Sequence, residues 1–400
     1  MKKLKLLFAL ASLLGVSSCF LGEKNKVSDY IEKPDYSLKS VEYVPVSPTF
    51  GTGITPVSLY AGYDQLLYAV DSAKAILSYD AAGNQLGRFE LPGVYFVIQN
   101  RSLDLYALGW KDTVYNTLVL KLPVIYKISQ KKAGEGTDRD LDLNFAVLEK
   151  QLIYPFCINE ASKLNNIANF KQIRLSAIGF LNDNSYYVTS SGPQEGANEL
   201  YITHRNAILS FNKSDVFEGG FTEGTGQATI APYGLTTLVQ PPQRSNMEVR
   251  RDFIYTSLDP DLALTVRYLT VVVDPNTGLF TAFKPLPIPS FAEADGYMYQ
   301  TFRFRKPAAV LFAGTNQKYI FVADDSKDSV YAFQENGYEG VIPPPQYTNK
   351  KLIKVSFGGR GSGPRQFNRP TALAYANKIL FVADAGNKRI ARFKLTTDYE

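Results

Sequence analysis

The stretch Phe357–Leu395, FGGRGSGPRQFNRPTALAYANKILFVADAGNKRIARFKL, most limits what this chain can fold into, because it is one unit of a repeat. Its opening, Gly358 to Gly363, is a turn that needs residues free at positive φ, and Pro370 ends that turn ahead of a strand. Three short strands are expected next: Thr371 to Tyr375, Ile379 to Ala383 and Arg389 to Leu395. Each is rich in β-branched, aromatic or aliphatic residues and bounded by Asn, Asp, Gly or Lys. The pattern recurs upstream. From Pro56, the run PVSLYAGYDQLLYAVDSAKAILSYDAAGNQLGRFEL sets Ala69-Val70-Asp71 against Val382-Ala383-Asp384. In residues 308–333, Asp324 stands six residues before Val330, the spacing of Asp384 to Ile390. Three divergent copies, Gly93 to about Ser129, Leu175–Phe211 and Tyr233–Phe283, share the strand pattern alone.

A repeat of this period implies stacked or radial units. A chain of 400 residues is accommodated as one domain by a β-propeller, which grows by adding blades around an axis. Tyr 26 and Phe 25 against one Trp also favour sheets over helices. The expectation is an all-β, six-bladed propeller of four-stranded blades. After its third strand the terminal blade has little chain left, so its fourth strand is expected from the other end. The segment KSVEYVPVS, with Ser40 to Val46 beside Ile390 to Phe393, is the strand-like candidate. Pro45 and Pro48 suit an outer edge, where a missing N–H faces water.

Written as G-x-G-P-x-Q-F-x-x-P, then a strand, then V-A-D-x-G-N-x-R-I, the terminal unit resembles the NHL repeat. That resemblance implies the same propeller and says little about activity.

Residues 1–18 have the layout of a secretory signal: a basic start, MKKLK, then the apolar run LLFALASLLGV and small residues before Cys19. Val16, Ser17 and Ser18 before Cys19 resemble a bacterial lipobox in the looser form of spirochaete lipoproteins. The chain has two cysteines and one stands where a lipid would be attached, so lipidation of Cys19 is expected, against the alternative of an incidental cysteine. Cys157 is then alone and no intrachain disulfide is expected. Phe20 and Leu21 supply no acidic retention signal, which favours the outer membrane. Residues 19–38 read as a polar spacer and 39–400 as the propeller. Without Lys2, Lys3 and Lys5 the formal charge of +5 falls to about +2, which argues against nucleic acid.

Function is sought in the insertions Gln130–Phe170, Gly192–Arg205 and Pro241–Arg251, expected to gather on one face, since loops on a rigid scaffold carry most binding chemistry. In the first, Asp138, Asp140, Asp142, Asn144 and Glu149 fall at calcium-loop positions 1, 3, 5, 7 and 12, but Leu143 occupies the sixth position, which requires Gly. Leu141, Leu143, Phe145 and Val147 alternate with mostly polar residues and read equally as a half-buried strand. Arg244, Arg250 and Arg251 could fork onto a carboxylate or phosphate, or sit on a solvated loop. Asp71, Asp324 and Asp384 are assigned to the repeat itself, accepting from turn amides, in preference to a metal around the axis.

One histidine, His204, excludes mechanisms that need a histidine pair, and no nucleophile elbow, zinc helix or phosphate-binding glycine loop occurs. Expected is a monomeric, membrane-anchored protein without cofactor that binds a protein or glycan through one propeller face. The alternative is a metal-dependent hydrolase or lyase with an axial carboxylate site.

Overall fold

The structure, a computed structural model, describes residues 40–130, 141–161, 164, 173–192, 206–221, 231–239, 251–273, 280–283, 296–314, 318–345, 347 and 351–399. The signal, the spacer and Cys19 lie outside the described residues. All the described strands belong to the compact unit Val41–Glu400.

The short strand β1 (Tyr43–Pro45) precedes six antiparallel sheets of four strands each. The first blade is β2 (Pro56–Ala61), β3 (Leu67–Asp71), β4 (Ala75–Tyr79) and β5 (Gln85–Glu90). The second is β6 (Phe96–Gln99), β7 (Leu105–Tyr115), β8 (Leu118–Ser129) and β9 (Val147–Ile153). The third is β10 (Arg174–Phe180), β11 (Tyr186–Ser191), β12 (Ala207–Phe211) and β13 (Phe217–Phe221). The fourth is β14 (Pro232–Thr237), β15 (Phe253–Ser257), β16 (Val266–Val273) and β17 (Phe280–Phe283). The fifth is β18 (Pro307–Phe312), β19 (Ile320–Asp324), β20 (Ser329–Phe333) and β21 (Phe357–Gly358). The sixth is β22 (Pro370–Ala376), β23 (Ile379–Asp384) and β24 (Arg389–Leu395), completed on its outer side by β1. No α-helix occurs among the described residues.

The expected closure is present, a little further along the strand than the sequence suggests. Tyr43 lies opposite Leu395, Val44 opposite Lys394 and Pro45 opposite Phe393, while Phe50 bridges Ile390. This pairing covers an edge of β24 that would otherwise offer a row of free backbone groups. Tyr43 anchors it, 1% exposed, with its ring stacked 5.6 Å from Phe357.

Neighbouring inner strands touch in the order β2, β6, β10, β14, β18, β22 and back to β2, so the first strands form a closed ring. Apolar clusters fill the wedges between blades, such as Phe50, Leu59, Leu77, Phe381 and Ile390 between the sixth and first. The repeat aspartates end the second strands of three blades, each facing a proline that opens the inner strand: Asp71 with Pro56, Asp324 with Pro307, Asp384 with Pro370. Proline has no N–H to give its partner. Each carboxylate instead accepts from the chain just before that proline: from Thr55 N at 3.0 Å, Lys306 N at 3.2 Å and Asn368 N at 2.8 Å respectively.

Asp384 also holds the glycine-rich turn. It accepts from Arg389 Nε at 2.8 Å, and Arg389 donates onward to the carbonyls of Gly363 and Gln366, both at 2.8 Å. Gly358 in that turn has φ +128°, and a Cβ there would lie 2.5 Å from the Asp328 carbonyl oxygen, so both backbone and space demand glycine.

Two expectations are corrected. The second blade does not end near Ser129: its outer strand is β9, Val147–Ile153. The alternating Leu141, Leu143, Phe145 and Val147 do not form one strand either, because Leu143–Phe145 is a 3-10 turn capped by Asp142, whose carboxylate accepts from Asn144 N at 2.8 Å. The turn is pinned to the first blade by Leu143, 2% exposed, and by Asn144, whose amide donates to the Leu86 carbonyl at 3.1 Å.

Candidate functional site

In each blade the inner strand starts at one end of the ring, and the second strand returns to that same end. Residues near these two points border the mouth of the axial cavity, a space of about 570 Å³. The inner strands contribute Val57, Arg174, Tyr233, Ala308 and Thr371, with Tyr95 just ahead of β6. Below the mouth the cavity narrows to about 90 Å³ between the six inner strands.

The lining is aromatic on one side. The Arg174 guanidinium lies between two tyrosines, its Cζ 5.2 Å from the Tyr95 ring centroid and 5.1 Å from that of Tyr233. Tyr95 is held in turn, its hydroxyl donating to the Leu175 carbonyl at 2.7 Å and its ring 6.1 Å from Trp110. Burial pushes the Tyr95 phenol well above its ordinary pKa, with the Arg174 charge acting the other way, so Tyr95 stays a neutral donor at any physiological pH. Trp110 lies on β7, and Gly93 lets the incoming chain pass beside it: a Cβ there would be 3.1 Å from the Trp110 carbonyl oxygen.

The rest of the lining is cationic. Lys121, on β8 opposite Asp112, makes no ion pair among the described residues. Lys306 and Arg369 share one acid, Asp325, with Lys306 against one carboxylate oxygen and Arg369 Nε 3.6 Å from the other. Four cations thus face one carboxylate across the mouth, and fields of one sign in a concave, low-dielectric wall are focused. Among the described residues no group of three His, Cys, Asp or Glu converges as a metal set would.

Antiparallel strands send successive connections to opposite ends of a blade: β11 ends with Ser191 at the mouth end, whereas β8 ends with Ser129 and β14 with Thr237 at the far end. Most of the insertions that the sequence singled out, including residues 131–140, 193–205 and 240–250, lie outside the described residues. Arg251 stands at that far end, its guanidinium 3.9 Å from the Asp183 carboxylate and its carbonyl accepting from the Tyr187 hydroxyl at 3.2 Å. Asp142 caps its turn, and Glu149 on β9 pairs with Lys127 at 3.2 Å, so these two members of the calcium-loop pattern serve different neighbours. Asp138, Asp140, His204, Arg244 and Arg250 lie outside the described residues.

None of the mouth residues was a sequence candidate. The signal available was the start of each inner strand, where the terminal repeat carries small Thr371 and the third and fourth blades carry Arg174 and Tyr233.

No protein-family model matches the sequence, and no curated protein matches it. Among solved structures the chain is similar to an auxiliary nutrient binding protein from Bacteroides thetaiotaomicron VPI-5482, with 10% identity over 88% of this chain and 72% of that one, TM-score 0.49. It is also similar to a luciferin-regenerating enzyme, with 10% identity over 89% and 95% of the two chains, TM-score 0.49. A third is virginiamycin B lyase from Staphylococcus aureus, with 10% identity over 89% and 99%, TM-score 0.41.

Proposed function

We propose that the protein is a lipid-anchored binding protein of the bacterial cell envelope, held by Cys19 in the outer membrane, whose ligand is a glycan received in the axial mouth. The observation that carries this reading is the pairing of a 570 Å³ concavity with half-buried aromatic side chains in its wall around a fixed guanidinium. Ligand sites are concave, mostly apolar, and oriented by a few convergent polar groups. Tyr and Trp rings offer flat, rigid surface with little entropy to lose, which suits the apolar face of a sugar ring. A protein partner fits less well, since a cavity of this size takes a small molecule or a few sugar units. The hydrolase or lyase alternative would need free carboxylates in the mouth. Among the described residues lining it Asp325 is the one acid, and it is already held by two cations.

Trp110 is the single tryptophan of the chain and borders the mouth, so intrinsic fluorescence reports occupancy directly. A glycan that raises the melting temperature is expected to shift or quench Trp110 emission with the same dependence on concentration. A stabilising ligand that leaves that emission unchanged binds elsewhere and refutes the assignment. For the anchor, Cys19→Ala is expected to move the protein from the detergent phase to the soluble exported fraction; unchanged partitioning refutes lipidation.

A further inference from the structure

Arg174 stands apart from the other cations of the mouth. Lys306 and Arg369 have Asp325, and Lys121 reaches solvent, but Arg174 is half-buried and makes no ion pair among the described residues. Among the described residues its side chain makes one hydrogen bond, a long one from Nη2 to the Tyr233 hydroxyl at 3.4 Å. The Arg174 Nε is buried and has no acceptor. Two residues on, Ser176, 7% exposed, also borders the axial cavity, and its buried Oγ has no partner. Folded chains leave few buried donors unsatisfied, and each exception calls for a reason. Here two fall two residues apart on one strand, β10, and both residues line the narrow axial space.

The two tyrosine rings hold the guanidinium plane in place by cation–π contact, so the N–H groups at its edge are fixed in direction before a ligand arrives. A planar fork of this kind is matched by two oxygens of one oxyanion, and a serine hydroxyl two residues further down supplies a third donor. The surplus of positive charge around the rim draws the same sign of ligand. We infer that the mouth selects saccharides bearing an oxyanion, carboxylate or phosphate: the oxyanion sits against Arg174 Nε and Ser176 Oγ, and the sugar ring against the aromatic wall of Trp110 and Tyr95. This rests on the reading of the mouth as a glycan site and narrows it to acidic sugars.

The test titrates the full chain in detergent, following Trp110 emission and calorimetric heat. The probes are glucuronate-terminated and galacturonate oligosaccharides, glucose 6-phosphate, their neutral counterparts and inorganic phosphate alone. The acidic sugars are expected to bind at least about tenfold tighter than the neutral ones, because a site built around donors discriminates against a ligand that leaves them unpaired. The preference is expected to fall to near unity in Arg174→Gln and to weaken in Ser176→Ala, and the uronate and phosphate arms identify which oxyanion fits. Arg174→Lys keeps the charge and loses the fork, so it covers the case in which Arg174→Gln fails to fold by near-ultraviolet circular dichroism; it too is expected to lose most of the preference.

Equal affinity for acidic and neutral sugars overturns this inference and leaves the glycan site standing. Binding of neither overturns both. A preference that survives Arg174→Gln, or Arg174→Lys where the former is unfolded, overturns the assignment of these donors. Inorganic phosphate that binds as tightly as a sugar phosphate overturns the role of the aromatic wall.

Discussion

Arg392 on β24 stacks its guanidinium 4.2 Å from the ring centroid of Phe50, and its Nε donates to the Pro48 carbonyl at 2.8 Å. Two segments far apart in sequence are thereby held at the seam of the ring, where Val46 N also donates to the Arg392 carbonyl at 2.8 Å. Deleting residues 20–36 is expected to leave the melting temperature unchanged. Extending the deletion through Pro48 removes the outer strand and the buried Tyr43, and is expected to cost at least about 3 kcal/mol, the range for losing a large buried aromatic side chain. Denaturant melts of the two truncations check this; equal stability would mean that the seam is closed by something other than β1.

The repeat aspartates are not equal in weight. Asp384 is 0% exposed and pairs with Arg389, whose side chain is 16% exposed, while Asp71 has only Lys74, 3.6 Å away and 66% exposed. Breaking a buried pair from one side costs about 3–5 kcal/mol, whereas a lost amide acceptor with a weak surface pair costs about 1–2 kcal/mol. Urea denaturation of Asp384→Ala and Asp71→Ala is expected to rank them in that order. The reverse order would contradict this account of the turn.

The fold is expected to fail from the alkaline side. Burial pushes the phenols of Tyr63, Tyr79 and Tyr319 from 10.0 up to about 12, and those of Tyr43, Tyr60 and Tyr186 well above 10.0. Between pH 10 and about 12 the unfolded chain loses protons that the native one keeps, so stability is at its full value below pH 10 and falls as pH rises through that window. Absorbance at 295 nm should show many tyrosines ionising only with unfolding. A smooth titration of all of them near pH 10, with the fold intact, would contradict the burial described.

At the tip of the β7–β8 hairpin, Asn116 and Thr117 have φ +46° and +68° and form a two-residue loop between Tyr115 and Leu118. Such loops favour Asn-Gly, and a β-branched residue in the left-handed region is strained by about 1–2 kcal/mol. Thr117→Gly is expected to raise stability by up to about 1 kcal/mol, glycine's own chain entropy offsetting part of the gain. A lower melting temperature would show that the Thr117 side chain contributes more than its backbone costs.

The blades legible in the sequence are those with a chemical reason to keep two residue types at a fixed distance. Proline opens the inner strand, and aspartate opposite it takes the amide that proline's neighbour would otherwise leave free, as in Pro56 with Asp71 and Pro370 with Asp384. In the fourth blade Pro232 faces Ser257, and in the third Arg174 faces Ser191, so only strand composition remained to read. The strand β9 was hidden because VLEKQLI is mostly solvated and shows no inside-outside alternation. The mouth was illegible for a different reason. Tyr95, Arg174 and Tyr233 are neighbours only because successive blades pack side by side, and no sequence spacing encodes that packing. They also stand at or beside the starts of inner strands and not in the long connecting loops.

Because every inner strand begins at the same end of the ring, each blade owns one position in the wall of the mouth: Val57, Tyr95, Arg174, Tyr233, Ala308 and Thr371. A substitution at any one of them alters the lining, and the ties to the neighbouring blade differ: Thr371 donates to the Pro56 carbonyl and Tyr95 to that of Leu175, while Val57 and Tyr95 also pack against the apolar cluster behind the wall. The chemistry of recognition is therefore written around the ring one character per repeat, and descendants of such a gene can change ligand by respelling a six-letter word on an inherited scaffold.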